Sequence, residues 1–570
     1  MPAKAKRGGE GGAGVPFRWP SNAAAPTATE IDVTQVAALN LDNSGTPDVR
    51  GAQRLNYLRG DSSLEGNNPA TQFRPRTRKL GDIVDSAPAY VAGALRNPTD
   101  VSYQAFRNSA TVINRPAMIY VGANDGALHG FDAATGAERL AYVPSGVYDN
   151  LSKLTAQGYT HRYFVDASPV VDDAKIGAGS TWRTILASGL GAGGRAIFAL
   201  DITDPTSFLE GNADAISLWE FTSATDADLG LTMGAPVVAK LNDGTWAVIS
   251  GNGVNNTGSG KSGIFILNAA TGALKRKLLT SVGSAASPNG IIAITAVDLD
   301  SNGTVDAVYG GDLYGRMWKF DLSSSASASW NVAYTGNPLF RARVSGDDQP
   351  ITTVPEVTRH PTQPGVLVMF GTGMYLQLSD ITSTNTQSIY GLWDNGTTVS
   401  DRSDLVEQTV TSVFAQAGSQ FRTMSDNPLD WSSDRGWYLD LPTAGERVIT
   451  DPVVRNARLI ASSMIPATGL CEAGGTGWLM ELNYKTGGRI ATPVLDTNGD
   501  GVINGSDSIA GGQRLTAISS SPAILGGFGD ASNPNSLENK YLNQSTGSIQ
   551  RVLETGNPLS SRRMSWRQLQ

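Results

Sequence analysis

The chain has 570 residues with 65 Gly and 28 Pro, and its 52 acidic against 44 basic side chains give a formal net charge of −8. So mild an acidity offers nucleic acid no basic surface and suits cation binding, and no run of about 18 apolar residues encodes a membrane-spanning helix. Cys471 is the single cysteine, which excludes an internal disulfide and a thiolate metal centre and predicts a free thiol in a loop.

Residues 1–30 are rich in Gly, Ala and Pro and are expected to be disordered or linker-like. The opening MPAKAKRGGEGGAG has basic residues but no apolar stretch of a signal peptide after them, so the chain reads as cytosolic or as the C-terminal part of a longer exported precursor. Residues 31–80 form a lead-in segment, with short helices expected over residues 33–39 and 52–58. Between them Asn40, Asp42, Ser44 and Asp48 place oxygens at alternate positions, although Pro47 and two neutral ligands make this a poor cation site. Arg59-Gly60-Asp61 is the tripeptide that animal integrins read; a plain salt-bridged turn is the competing reading.

From about residue 81 to 545 the chain repeats. One unit is a small-residue strand near Ser-Pro or Ala-Pro, an apolar strand running into glycines, then a third strand ending in FD or an equivalent. Ser86-Ala87-Pro88 leads to MIYVGANDGALHGFDAATG, Ser168-Pro169 to TILASGLGAGGRAIFALDITDP, and Ala235-Pro236 to WAVISGNG and GIFILNAATG. Three further units follow, and SSSPAILGG at residues 519–527 is a last partial one. Such units cannot bury both sheet faces alone, but blades stacked around an axis can, which predicts an all-β fold, a modified β-propeller of about six or seven blades. Residues 519–527 are expected to complete the blade begun near residue 85, closing the ring, and residues 546–570 to form a tail packed on the propeller.

Two loops carry the pattern of a calcium site. In DLDSNGTVD, oxygens recur at Asp298, Asp300, Asn302, the Thr304 carbonyl and Asp306, with Gly303 at the turn. Ca²⁺ takes about 6–8 hard oxygen ligands from such spacing, although Tyr309 stands where an EF-hand has its bidentate Glu. In DTNGDGVINGSD the ligands would be Asp496, Asn498, Asp500, the Val502 carbonyl, Asn504 and Asp507, with Asp507 a shorter arm than Glu. A water-bound Asx turn is the alternative for either loop.

Catalytic patterns are missing from the sequence. His129, His161 and His360 fall in different units without ligand spacing, and no G-x-S-x-G elbow stands on a strand-to-helix turn. Residues 189–194, GLGAGG, lack the Lys-Ser/Thr of a phosphate loop and read as a hairpin turn. Asp172 and Asp173 read as an exposed turn. The endings FDAATG and LNAATG resemble the repeat of quinoprotein dehydrogenases, propellers that hold pyrroloquinoline quinone over Ca²⁺. Residues 133–136 are followed by AERLAYV, without the docking tryptophan usual in that family, and one cysteine cannot form its adjacent pair. The chain is therefore read as no enzyme, with a quinoprotein and a carbohydrate-binding propeller as alternatives.

YLRGD, VGANDGALHGFDA, GGRAIFALDIT, DLDSNGTVDAVYGGDLYGRMWKFDL and the terminal MSWRQL together resemble the C-terminal domain of the PilC/PilY family of type IV pilus biogenesis factors and adhesins. The resemblance spans about residues 50–570. It implies a propeller with seven blades, a Ca²⁺ loop at residues 298–306, and export to the pilus or the outer membrane. It further implies work with the pilus machinery and minor pilins to support extension against retraction, hence twitching motility. Attachment to surfaces or host cells is implied too, through an integrin-like receptor if Arg59, Gly60 and Asp61 act as in some members. The family's usual N-terminal half, with its signal peptide, is not in this sequence.

Overall fold

The computed structural model describes residues 14–96, 100–177, 179–467, 474–526 and 537–556, and the backbone of residues 3–6. Cys471 and MSWRQL lie outside the described residues. Strands dominate, and the longest helix, Gly51–Leu58, has 8 residues. The chain divides into two compact units, one of residues 1–293, 303–306 and 322–330, the other of residues 294–302, 307–321 and 331–570.

The first unit is built from antiparallel meanders, with one parallel pairing in its first sheet. Its first sheet runs, in spatial order, Gly14–Pro16, Ala3–Lys6, Glu138–Val143, Leu128–Asp132, Met118–Gly122 and Ala89–Val91. The second orders Ser217–Thr222, Ala196–Asp201, Thr181–Gly189 and Val170–Gly177, and the third orders Val237–Lys240, Trp246–Gly251, Lys261–Asn268 and Leu274–Gly283. The middle strands are apolar throughout rather than alternating, because both of their faces are covered: every residue of Trp246–Gly251 is buried. Phe198 and Leu200 face the same core as Leu128 and Tyr142 of the first sheet, whereas Ile197 and Ala199 face the core that holds Val248 and Phe265 of the third.

The repeated A-A-T-G endings are turn chemistry. Asp132 Oδ1 accepts the amides of Ala134 and Thr135, Asn268 Oδ1 those of Ala270 and Thr271, and Gly136 and Gly272 follow with φ near +70°. At the turn of residues 133–136 a Cβ on Gly136 would meet nothing within 4 Å, but the second such turn is docked by a tryptophan of the preceding sheet. Trp219 Nε1 donates to the Ala269 carbonyl at 2.8 Å and its ring lies where a Cβ on Gly272 would sit. The second unit repeats the device: Trp437 Nε1 donates to the Tyr484 carbonyl at 3.2 Å, its ring against Gly487.

Two expectations fail in the first unit. Residues 1–30 are not simply a linker: Ala3–Lys6 pairs in parallel with Glu138–Val143, Gly14–Pro16 folds back on it, and Val15 and Phe17 enter the core. Asp172 and Asp173 do not form an exposed turn but lie within the strand Val170–Gly177. Asp173, with no exposed surface, accepts from Tyr103 Oη at 2.7 Å, Thr184 Oγ1 at 2.6 Å and the Leu95 amide at 2.8 Å, and Asp172 pairs with Arg96. Long-range partners, invisible in the dipeptide, satisfy both carboxylates.

The next sheet, in the second unit from residue 294 on, orders Ile291–Val297, Ala307–Asp312, Arg316–Asp321 and Asn331–Val332, with Phe340–Arg341 pairing the third strand. The next orders Glu356–Arg359, Val366–Gly371, Ser388–Asp394, Gly436–Asp440 and Val406–Gln408. A six-stranded sheet follows, from Val410–Gln416 to Val453–Arg455, and Ala523–Gly526, Leu537–Asn543 and Ile549–Thr555 form a separate three-stranded sheet. Residues 519–527 therefore do not complete the first sheet; the strand within them pairs with its neighbour, which needs far less loop closure than a partner some four hundred residues away. Nor are residues from 546 onward only a packed tail, since Ile549–Thr555 is a full strand of that sheet.

Candidate metal centre

The loop of residues 298–306 joins Ile291–Val297 to Ala307–Asp312, two strands with every residue buried, so both of its ends are fixed. Asp298 and Asp306 sit buried at those ends while Asp300 is exposed between them. One carboxylate oxygen from each lies within 4.8 Å of the others. Ser301 at φ +64° and Gly303 at φ +87° turn the chain back on itself; a Cβ on Gly303 would meet nothing within 4 Å, so the glycine is there for its backbone. The Asn302 amide donates to Asp298 Oδ1 and Asp300 Oδ1, both at 3.1 Å, and its side chain to Asp300 Oδ2 at 3.0 Å.

A residue not singled out in the sequence braces this loop. Asn242, in the turn between Val237–Lys240 and Trp246–Gly251, donates its Nδ2 to Asp306 Oδ1 at 2.9 Å and to the Val305 and Leu322 carbonyls. Its Oδ1 accepts from Thr304 Oγ1 at 2.7 Å, and the neighbouring Leu241 bridges to Val305. On the other side Arg359 donates to Ser301 Oγ at 2.8 Å. Hydrogen bonds of this kind orient ligand carboxylates before any ion arrives. Crowded carboxylates on a turn anchored at both ends, with a backbone carbonyl at Thr304 in the same nine residues, form a donor set of hard oxygens, which fits Ca²⁺ and not a soft metal.

The second loop is arranged differently. Asp507 turns inward, its Oδ1 accepting the Thr497 and Asn498 amides at 2.8 and 3.3 Å and its Oδ2 the Asn504 amide at 3.0 Å. Burial would raise its pKa, but these hydrogen bonds outweigh burial and hold it below the usual carboxylate range. Asp496 accepts the amides of Gly499 and Gly501, and Asp500 that of Val502. Among the described residues, only Asp298, Asp300 and Asp306 form a converging acidic group.

In the lead-in, Asp48 is held by the Arg54 guanidinium, Asn40 Oδ1 accepts the Gly51 amide, and Asp42 caps Ser44 and Thr46. Arg59 donates to Glu210 and to the Phe17 carbonyl, each at 2.8 Å, Gly60 takes φ +100°, and exposed Asp61 accepts the Ser63 amide. The three histidines remain apart: His129 lies between Asp125 and Glu138, His161 pairs with Asp82 at 2.7 Å, and His360 packs against Trp393 and Trp431. Residues 189–194 make the expected hairpin, where a Cβ on Gly193 would lie 1.9 Å from the Phe164 carbonyl oxygen.

Comparison with known proteins agrees over most of the chain. The family described as the PilY1 beta-propeller domain matches residues 80–420. The type IV pilus biogenesis factor PilY1 of Pseudomonas aeruginosa (strain UCBPP-PA14) is 35% identical over 554 residues, covering 86% of this chain and 46% of the relative. A PilY1 homolog of Xylella fastidiosa is 38% identical over 480 residues, 79% of this chain and 32% of the relative. The chain thus spans less than half the length of these two curated relatives. The crystal structure of the P. aeruginosa PilY1 C-terminal domain superposes with a TM-score of 0.66 at 31% identity, covering 82% of this chain and 99% of that one.

Proposed function

Since the chain belongs to the PilY1 β-propeller family of type IV pilus biogenesis factors, we propose that it is a calcium-binding part of a pilus assembly and adhesion protein, exported and working at the pilus or outer membrane. The observation that carries this reading is the meeting of Asp298, Asp300 and Asp306 within 4.8 Å on a turn with buried ends.

Three carboxylates so close repel one another, and the repulsion favours an opened loop. A bound Ca²⁺ supplies the positive charge that removes this repulsion, with the Asn302 side chain and the Thr304 carbonyl completing the donors. Asn242 fixes Asp306 from behind, so closure requires only Asp300 and its exposed neighbours to move in. The closed loop would present one surface to the pilus machinery and minor pilins, and shift the population toward a conformation that opposes retraction. Attachment to surfaces or host cells is part of the same proposal. Asp61 is the group most available to an integrin-like receptor, because Arg59 is engaged by Glu210.

Titration calorimetry on the Asp298→Ala variant tests the site, with loss of calcium heat expected in a chain that still folds. The biological role is tested by placing that variant in the full-length protein of a piliated bacterium. Surface pili and twitching should fall where the retraction motor works, and surface pili, though not twitching, should recover where it is disabled. Unchanged calcium binding would remove this loop as the site, and unchanged piliation would remove the role.

A further inference from the structure

The six-stranded sheet of the second unit ends on Val410–Gln416, a strand paired on one side only, to Ser419–Met424. Folded proteins guard such an edge with charge, proline, shortness or a covering segment, because unpaired N–H and C=O groups template pairing with another chain. Among the described residues, the other edge strands of five or more residues are guarded in one of these ways. Ile291–Val297 and Ser217–Thr222 are covered, with all or most of their residues buried. Val170–Gly177, Leu274–Gly283 and Ile549–Thr555 carry charges, Asp172, Arg276 and Arg551 among them. Val410–Gln416 is open: Thr411, Ser412, Val413 and Ala415 are exposed, and residues 408–421 hold neither a charged side chain nor a proline. A register shift between Val410 and Ser412 disturbs only its first end.

The hairpin turn fixes which main-chain groups face outward. Ala417 and Gly418 both have positive φ, +48° and +79°, a two-residue turn of type I′ that makes Gln416 and Ser419 a hydrogen-bonded pair. Such pairs alternate along an antiparallel ladder, so Phe414 and Phe421 form the next one, while the N–H and C=O groups of Val413 and Ala415 point out from the edge. On one face the half-buried Phe414 ring stacks on Phe421, with centroids 5.5 Å apart.

We propose that this edge pairs with the same edge of a second copy of the chain, antiparallel about a twofold axis at Phe414, so that Val413 and Ala415 of one copy exchange main-chain hydrogen bonds with Ala415 and Val413 of the other. Two observations select a second copy. The register that uses these outward groups sets Phe414 opposite Phe414 as a non-hydrogen-bonded pair, where side chains come closest, and extends the stack on Phe421 through both copies. Two chains of net charge −8 repel each other, and the uncharged stretch of residues 408–421 lets them meet without opposing like charges. The pairing consumes both edges, so association closes at two.

Sedimentation velocity on the whole chain tests it. One pair of strand edges is a small interface, so a weak dimer is expected, with monomer and dimer both present at about 100 µM. Val413→Pro removes only an outward N–H, which an edge strand tolerates, and should weaken the dimer roughly tenfold or more at an unchanged melting temperature. Ala415→Lys, opposite exposed Gln420, gives the edge the charge that others carry and should do the same; it decides alone if Val413→Pro lowers the melting temperature. Oxidation reads the register. On a Cys471→Ser background, Phe414→Cys should yield a disulfide-linked dimer and Val410→Cys should not, because only residue 414 faces itself across the axis. A chain that stays monomeric at that concentration overturns the proposal and leaves the edge to an extended segment of another protein. A dimer that survives Ala415→Lys, growth to open-ended oligomers, or equal cross-linking at 410 and 414 overturns it as well.

Discussion

Arg422 and Glu446 form a bidentate pair with both hydrogen bonds at 2.7 Å and at most 1% of either side chain exposed. Ser463 adds a hydrogen bond to Glu446, and the guanidinium lies 3.9 Å over the Trp478 ring. A buried charge without its partner costs about 3–5 kcal/mol, whereas replacing both charges with apolar groups is often neutral. Glu446→Gln should therefore lower unfolding free energy in urea by about 3 kcal/mol or more, and the double variant Arg422→Met, Glu446→Leu should recover most of that loss. His129 gives a pH dependence. Between about pH 6.5, its ordinary value, and about 10, the folded chain keeps a proton that the unfolded chain has released, so its contribution to stability is complete below 6.5 and falls as pH rises through that window. His129→Gln should remove this part of the slope when urea midpoints are compared from pH 6 to 10, and a slope unchanged by the substitution would contradict its ion pairs with Asp125 and Glu138. Neither pair was legible in the sequence. The partners are far apart in number or hidden by ordinary composition, and the same reason makes Asp172-Asp173 read as a turn when Tyr103 and Arg96 wait on another segment.

At the scale of elements, the strands and turns were readable where chemistry is local. Apolar runs bounded by glycines became strands, the A-A-T-G turns are Asx-capped, and the loop of residues 298–306 joins the two strands between which its pattern placed it. What depends on distant pairing was not readable: the parallel seating of Ala3–Lys6, the tryptophan supplied from the preceding sheet, and Asn242 behind the loop. The loop itself yields a prediction. Gly303 has φ +87° and open space around its missing Cβ, so Gly303→Val meets no clash and bears only the backbone cost of a left-handed β-branched residue, of order 1–2 kcal/mol. The substitution should leave the circular dichroism spectrum and apo stability nearly unchanged if the loop opens without an ion, and weaken calcium binding roughly tenfold. Apo stability lost in full, with calcium affinity unaltered, would mean the turn is set by the fold and not by an ion. The terminal sheet adds buried charge to apolar packing: Leu542 and Val552 join a core with Phe421 and Leu515, while Lys540, fully buried, joins Glu481 and Glu554, and Arg458 reaches both carboxylates at 3.0 Å. Burial, then the charge of Glu481, raises the Glu554 pKa to about 7, so the network has a proton to lose near neutrality.

For the whole molecule, fold class and family were legible because repetition is a property of the entire sequence, whereas the strand partner expected for residues 519–527 was wrong because it named one pairing among many. The net charge of −8 also acts on this scale, as a mild field that gathers cations without selecting among them. On the proposed reading selection comes from the loops, and linkage would turn that selection into a measurable stability. An ion that binds only the folded chain stabilises it by RT ln(1 + [L]/Kd), about 2.7 kcal/mol at a hundredfold excess over Kd. Calcium should thus raise the melting temperature after chelation, and magnesium should do so much less, because it demands a small octahedral shell and gives up water reluctantly. If residues 298–306 hold the only ion, Asp298→Ala with Asp306→Ala abolishes the shift. If Asp496, Asp500 and Asp507 rearrange to hold another, part of the shift survives that pair of substitutions and disappears when Asp496→Ala is added. The inward hydrogen bonds of Asp507 and the convergence of Asp298, Asp300 and Asp306 favour the first outcome. A shift equal for calcium and magnesium, and untouched by all three substitutions, would assign the effect to the acidic surface as a whole.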